Sequence, residues 1–219
     1  MFKNRDEAGK LLAVKLEKYQ NNQPIVLAIP KGGVEVGIPV SRFLGCAFSL
    51  IIVRKLGYLN LPEVAFGALG EDGTLHLSSN AQGRLSKQDI ETVIKREKKR
   101  IGKSLNRYRK GEPLPSLTHR IVILADDGVA TGSTIFAAIE MIKKQRPGKI
   151  IVATPVISFD IYEKMRSKVD EIVVVSIPED LSAVSDYYED FREVTDKKMN
   201  RLLKQNEIKK NFLHSLSLS

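Results

Sequence analysis

Ile121-Val122-Ile123-Leu124-Ala125-Asp126-Asp127-Gly128-Val129-Ala130-Thr131-Gly132-Ser133-Thr134 is the stretch on which the fold turns. Its first five residues are apolar, rich in β-branched side chains and without alternation, as expected of a strand buried on both faces. After Thr134, Ile135, Ala138, Ile139 and Ile142 recur at helical spacing until Pro147-Gly148 stops them. The loop between strand and helix carries two adjacent carboxylates and then only small or hydroxylated residues, Val129 apart. Backbone N–H groups at such a helix N-terminus form an anion site. Gly128, Ala130 and Gly132 let a phosphate approach the backbone, and Thr131, Ser133 and Thr134 add hydroxyl donors. Asp126 and Asp127 stand about one sugar away, where they can accept hydrogen bonds from ribose hydroxyls. The predicted ligand of this loop is a sugar phosphate.

Four further apolar runs resemble the first: Ile25–Ile29, Leu50–Val53, Ile150–Ala153 and Ile172–Val175. Helical patterns lie between them. One begins near Asn4, with Glu7 at the capping-box spacing and Leu11, Leu12 and Leu16 as its stripe. Another, Val34–Leu44, follows a Gly-Gly turn. Strand alternating with helix predicts an α/β fold, a doubly wound parallel sheet. Residues 64–117 interrupt the alternation. Val64–Leu69 and Thr74–Leu77 flank Glu71-Asp72-Gly73 as a small hairpin. Ser86 and Asp89 then open a long helix with Ile90, Val93, Ile94, Ile101, Leu105 and Tyr108 on one side, ending before Gly111 and Pro113. The expected organisation is one domain over residues 1–199, with this insertion as a hood, and a helical tail over 200–219. The helix that leads into the tail starts near Thr195 and turns Met199, Leu202 and Leu203 inward, and the closing HSLSLS is expected to fray.

A chain of 219 residues with 42% hydrophobic and 28% charged side chains is globular, not disordered. No apolar run is long enough to span a bilayer, and the charged N-terminus lacks a signal-peptide core, so a cytoplasmic protein without membrane contact is expected. The single cysteine, Cys46, reads as a core residue. His76, His119 and His214 share no metal-ligand spacing, and no metal site held by protein alone is predicted. The net charge of +9 is concentrated: residues 84–120, from Arg84 to Arg120, hold twelve basic and four acidic side chains. Such a block suits a polyanion or a nucleic acid, and equally the solvated face of a helix.

The 121–134 string resembles the phosphoribosyl pyrophosphate signature of the type I phosphoribosyltransferases. Pro30-Lys31-Gly32-Gly33 is similar to that family's pyrophosphate loop, and Val53-Arg54-Lys55-Leu56-Gly57 to its basic pair. Within the family the chain looks most like a bacterial group known chiefly by its phosphoribosyltransferase-like sequence. Arg5, Glu7-Ala8-Gly9, Pro62-Glu63, Gly67-Ala68 and Tyr108-Arg109-Lys110-Gly111 carry that likeness, which covers residues 2–199. The resemblance implies that Asp126 and Asp127 bind ribose, that Gly128, Ala130, Thr131, Gly132, Ser133 and Thr134 bind the 5-phosphate, and that Lys31, Gly32, Gly33, Arg54 and Lys55 bind pyrophosphate. It also implies a non-proline cis peptide at Pro30–Lys31 or Lys31–Gly32. Where that group has an arginine in the glycine turn, this chain has Lys31, which keeps the charge without the bidentate fork.

The segment 177–192 is similar to the end of hypoxanthine-guanine enzymes, which places Leu181, Ser182 and Asp186 at the acceptor. Leu181 stands where those enzymes stack an aromatic ring. Ala130 replaces their loop acid, and Ala153-Thr154-Pro155-Val156 lacks their base-reading lysine, so a 6-oxopurine is disfavoured as acceptor. Tyr187, Tyr188 and Phe191 read first as groups of a helix packed on the sheet. The implied reaction displaces pyrophosphate from C1 of the ribose by a small nitrogenous acceptor, with Mg2+ arriving on the donor, in a homodimer. The second reading is a regulator that senses phosphoribosyl pyrophosphate or a nucleotide and binds RNA through the basic insertion.

Overall fold

In the computed structural model, described over residues 1–62, 64–78 and 85–216 with side chains as far as residue 207, five parallel strands form the central sheet. They are β1 (Ile25–Ala28), β2 (Ala47–Leu50), β6 (Ile121–Ala125), β7 (Lys149–Val156) and β8 (Glu171–Ser176), in the order β2-β1-β6-β7-β8. A smaller antiparallel sheet, β3-β4-β5, comprises Val53–Gly57, Ala65–Gly70 and Leu75–Leu77.

Alternate residues of each central strand feed two different cores, which is why the sequence shows unbroken apolar runs. Ile25, Leu27, Val122, Leu124, Ile150 and Val152 pack on α4 (Ser133–Lys144) and α5 (Phe159–Arg166). Val26, Ile123, Ala125, Ile151 and Ala153 pack on α1 (Arg5–Lys15) and α2 (Gly32–Phe43). The sheet is thus doubly wound, as expected. β1 leads through α2 to β2 on one flank, whereas β6 leads through α4 to β7 on the other. The strand order therefore reverses between β1 and β6, and the crevice beyond their carboxyl ends is where ligands of such sheets bind.

A third core joins the hood to the sheet. Val93 and Ile101 of α3 (Lys87–Arg109) pack with Ile38, Leu56, Phe66 and Leu69, and with Met199 of α6 (Asp196–Leu216). Ile90, Ile94, Leu105, Tyr108, Leu202 and Leu203 flank this cluster, so the predicted stripes of both helices face inward. Ser86 caps α3 by accepting from Asp89 N–H at 3.1 Å. A buried ion pair anchors the far end of that helix. Arg109 Nη1 lies 2.6 Å from Glu71 Oε1, with side chains 7% and 8% exposed, and Glu71 Oε2 accepts from Ile52 N–H at 2.9 Å.

Some expectations need correction. The run Leu50–Val53 is not one strand: it spans the end of β2, a corner at Ile51-Ile52 and the start of β3. Ile51 lies in the sheet core and Ile52 in the hood core, so burial on both sides of the corner leaves no polar mark. Arg54 and Lys55 accordingly belong to the small sheet, not to the second strand of the large one. In α1 and at its C-cap, Leu12 and Leu16 are buried but Leu11 is exposed, and Ala8 and Ala13 complete the inward face. Asn4 caps α1 by accepting from Glu7 N–H, while Glu7 reaches back to Lys3 N–H, one residue before the expected partner. Tyr187, Tyr188 and Phe191 do pack, but they sit in a short 3-10 turn, Val184–Tyr187, and the coil after it, and they pack with Phe2 and Ala8 at the start of the chain, not on the sheet. His214–Leu216, expected to fray, lie within α6. Glu63, Arg84 and the last three residues lie outside the described residues.

Candidate active site

Two helices begin at the crevice. α4 starts after Gly132, whose φ of +74° lies in the left-handed region that glycine adopts without strain. Among the described residues, no group accepts from the N–H groups of residues 130–135. They form an orphan first turn of the kind suited to an anion. Ser158 Oγ donates to Ala130 O at 3.1 Å and holds the loop from behind. Thr131 is exposed, Gly132 and Ser133 are buried, and Thr134 is half-buried, so the loop presents one open face. α2 starts after Lys31 at the adjacent strand, and the N–H groups of residues 31–33 also lack acceptors among the described residues. The Pro30–Lys31 peptide is cis.

The two loops touch. A Cβ on Gly32 would fall 1.8 Å from Asp127 Oδ2, and one on Gly33 would fall 2.7 Å from Ala125 O. Only glycine lets the start of α2 come this close to the end of β6. Asp126 and Asp127 lie in the seam between the two helix starts. Asp127 Oδ2 accepts from Arg5 Nε at 2.6 Å, and Asp126 Oδ1 accepts from Asp127 N–H at 3.0 Å. Burial, and then the charge of Asp127, hold the Asp126 carboxyl well above the usual carboxylate range, against the opposing charge of Lys55.

The basic residues predicted beside this seam are present with other partners. Lys31 Nζ is 3.1 Å from Asp196 Oδ1 and 3.7 Å from Glu193 Oε1. Arg54 Nη2 donates to Ser104 Oγ of α3 at 2.8 Å, tying the small sheet to the hood helix. Lys55 is exposed and acts electrostatically on Asp126. The segment after β8 closes against the signature loop through Val184, since a Cβ on Gly128 would meet Val184 Cγ1 at 2.2 Å. On that segment Leu181 is half-buried, while Ser182 and Asp186 are exposed and Asp186 accepts from Ser185 Oγ at 3.3 Å.

Sequence reasoning gave no site role to Arg5, Tyr188 or Asp196. Arg5, 6% exposed, bonds Asp127, donates from Nη1 to Arg192 O at 3.0 Å and stacks 3.7 Å from the Phe191 ring centre. Tyr188 donates its hydroxyl to Asp127 O at 2.6 Å, and burial, then the Asp127 charge, push that phenol up. Arg5 did stand in the likeness noted at the N-terminus, but no local pattern ties it to a loop 122 residues away. A concavity of about 210 Å³ is lined by Arg5, Glu35, Arg192 and Lys198, and neither Asp126 nor Asp127 lines it. No cluster of three or more His, Cys, Asp or Glu side chains suited to a metal occurs among the described residues. No helix among them is long and apolar enough to cross a membrane.

A sequence model described as "Phosphoribosyl transferase domain" matches residues 3–192. The chain belongs to the phosphoribosyl transferase family. Two Mycobacterium tuberculosis proteins, "Putative phosphoribosyl transferase MT0597" (strain CDC 1551) and "Putative phosphoribosyl transferase Rv0571c" (strain H37Rv), are each 33% identical over 198 residues. The alignment takes in 90% of this chain and 45% of theirs, so the chain spans about half the length of these curated relatives. Among solved structures, TT1426 from Thermus thermophilus is 38% identical with a TM-score of 0.77, covering 93% of this chain and 97% of that one. The AQ2163 protein from Aquifex aeolicus, 14% identical with a TM-score of 0.53 over 81% of this chain and 76% of its own, shares the fold. The phosphoribosyl transferase fold thus accounts for the doubly wound sheet and the hood set on it.

Proposed function

We propose that this chain transfers a phosphoribosyl group from the magnesium complex of phosphoribosyl pyrophosphate to a small nitrogenous acceptor, releasing pyrophosphate. The observation that carries the reading is the seam itself. Two helix starts whose N–H groups lack acceptors among the described residues flank a carboxylate pair at the reversal of strand order. In this reading the N–H groups of residues 130–135, with Thr131, Ser133 and Thr134, hold the 5-phosphate. Asp126 and Asp127 accept from the ribose hydroxyls. The N–H groups of Lys31, Gly32 and Gly33, with Arg54 and Lys55, face the pyrophosphate.

The C1–O bond to pyrophosphate breaks with its electron pair on the leaving group, while the acceptor nitrogen bonds C1 from the opposite face and inverts it. Negative charge grows on pyrophosphate, where the fixed N–H groups and cations oppose it, and positive charge grows on the ribose above the carboxylates. Catalysis then rests on positioning and fixed charge. Magnesium enters as part of the donor, whose phosphate oxygens and waters suit it. Val184 and Val156, which close on Gly128, give the acceptor side an apolar lining.

The reaction is assigned to the cytoplasm, and a homodimer is supported by β5, the outer strand of the small sheet, with Leu75 and Leu77 exposed. The RNA-binding regulator is favoured by one observation: α3 docks by its apolar face and leaves Lys95, Lys98, Lys99 and Lys103 in solvent. RNA binding that weakens steeply with salt would mark that reading.

Calorimetric titration of magnesium phosphoribosyl pyrophosphate into wild type and Asp126→Asn/Asp127→Asn tests the enzyme. Binding in wild type that the double variant loses is expected. Equal affinity in both, or none in wild type, overturns the site.

A further inference from the structure

Asp196 is held by three groups from two other elements. Oδ1 lies 3.1 Å from Lys31 Nζ of the pyrophosphate loop and accepts from the Tyr108 hydroxyl at 2.6 Å, and Oδ2 pairs with Arg107 of the hood helix. Tyr108, and after it Lys31, hold this carboxyl below its ordinary range, so it is anionic at neutral pH. Two cations, one from the loop before α2 and one from the hood helix, thus converge on one carboxylate that the tail helix brings to them. Lys31 would be needed for the donor, yet here a carboxylate of the same chain occupies it. Two cations spaced for one bridging anion would hold a diphosphate as they hold a carboxylate, and a diphosphate carries more charge and more acceptor oxygens.

We propose that Lys31 and Arg107 form a two-cation subsite for the donor's pyrophosphate, and that Asp196 is its internal occupant, displaced when pyrophosphate binds. The inference rests on the phosphoribosyl transfer reading and adds to it a hood residue, Arg107, and a competing group, Asp196. Displacement has a structural consequence. Asp196 opens α6, and its bonds to Arg107 and Tyr108 tie that helix to α3. Donor binding therefore loosens the contact between tail helix and hood while it engages the cations of both loops. Glu193, 3.7 Å from Lys31 and mostly exposed, is a weaker second competitor.

The test is titration of inorganic pyrophosphate, the same probe throughout, into wild type, Asp196→Asn, and Asp196→Asn combined with Arg107→Gln. Losing a competitor that makes two exposed ion pairs should tighten pyrophosphate about 3- to 10-fold in Asp196→Asn. Adding Arg107→Gln should cancel that gain. Unchanged or weaker binding in Asp196→Asn overturns the proposal, as does a gain that survives Arg107→Gln. A second measurement needs no variant. Hydrogen exchange of residues 193–199 in wild type should speed up when pyrophosphate is added, and unchanged or slower exchange overturns the displacement.

The two readings fail differently. If wild type binds phosphoribosyl pyrophosphate through Asp126 and Asp127 while Asp196→Asn leaves pyrophosphate affinity unaltered, only this inference falls. If neither wild type nor Asp196→Asn binds pyrophosphate, both fall. Binding by Asp196→Asn alone supports the displaced carboxylate.

Discussion

Replacing Gly32 by alanine separates the role of Asp127 in the fold from its role in binding. The new Cβ would lie 1.8 Å from Asp127 Oδ2 and 2.3 Å from its Cγ. Both atoms belong to a side chain that can rotate, so the helix start need not move; the carboxylate must. Moving it breaks the 2.6 Å bond from Arg5 Nε, which joins side chains only 7% and 18% exposed. A charge-assisted bond in such a place contributes about 1.5–3 kcal/mol, and that is the expected loss of stability in urea unfolding. The same displacement takes Asp127 from the place proposed for it under the ribose. One charge-assisted bond lost there weakens phosphoribosyl pyrophosphate about 10- to 150-fold by calorimetry. Gly33→Ala serves as the contrast, because its Cβ would meet Ala125 O at 2.7 Å and the Asp126 Cα at 3.0 Å, backbone that cannot rotate away. Its stability loss should be the larger of the two. The reasoning is refuted if Gly32→Ala loses the expected stability yet binds donor like wild type, for then Asp127 moves without consequence for the sugar.

Three other outcomes follow from the same geometry. The raised Asp126 pKa means that ionising this carboxyl opposes folding: its share of stability is full below about pH 4, its unfolded range, and is lost as pH rises through the folded pKa. Asp126→Asn should therefore be more stable than wild type at pH 7 and converge with it in acid, and a constant difference across a pH series of urea melts would contradict the assignment. Glu71→Ala strips Arg109 of its buried partner and Ile52 N–H of its acceptor, and should cost about 3–5 kcal/mol; a loss below about 1 kcal/mol in urea would show that the pair behaves like a surface one. Thr131→Val removes one hydroxyl donor from an exposed loop position, so ribose 5-phosphate should bind about 3- to 10-fold more weakly with stability unaltered, and a titration showing equal affinity would remove Thr131 from the phosphate site.

Legibility in the sequence followed the range of the interactions. The doubly wound sheet was readable because its three inner strands, β1, β6 and β7, are buried on both faces over four or more consecutive residues, which writes them as apolar runs, whereas the edge strands β2 and β8 are only partly buried. The signature loop was readable because its parts are contiguous: strand end, carboxylates, small residues and helix start all fall within residues 121–134. The corner at Ile51-Ile52 was not, because two cores meet there and the chain never leaves apolar surroundings. Arg5 and Asp196 were illegible as site groups for a different reason. Each acts on a residue far along the chain, Arg5 on Asp127 and Asp196 on Lys31, Arg107 and Tyr108. A lone charged residue near a helix start reads locally as part of that terminus, and only the packing of α1 and α6 against the same crevice turns it towards the loops.

That division bears on how the crevice works. The groups legible from sequence are those that would contact the sugar phosphate, and the fold presents them from the ends of adjacent strands. The illegible groups set the charge those contacts meet. Arg5 pairs with one of two neighbouring carboxylates, and Asp196 pairs with Lys31 and Arg107, the two cations proposed for pyrophosphate. Glu35 draws the two helices together, since it faces Arg5 Nη1 at 3.7 Å with one oxygen and pairs with Lys198 of α6 through the other. The tail helix therefore reaches both helix starts of the crevice through ion pairs, Asp196 to Lys31 and Lys198 through Glu35 and Arg5 towards Asp127. By the proposal above, a polyanion entering the crevice would compete with the first of these contacts and leave the second in place, so α6 would shift at its first turn while Lys198 and the packing of Met199 hold the rest of it on α2 and the hood core.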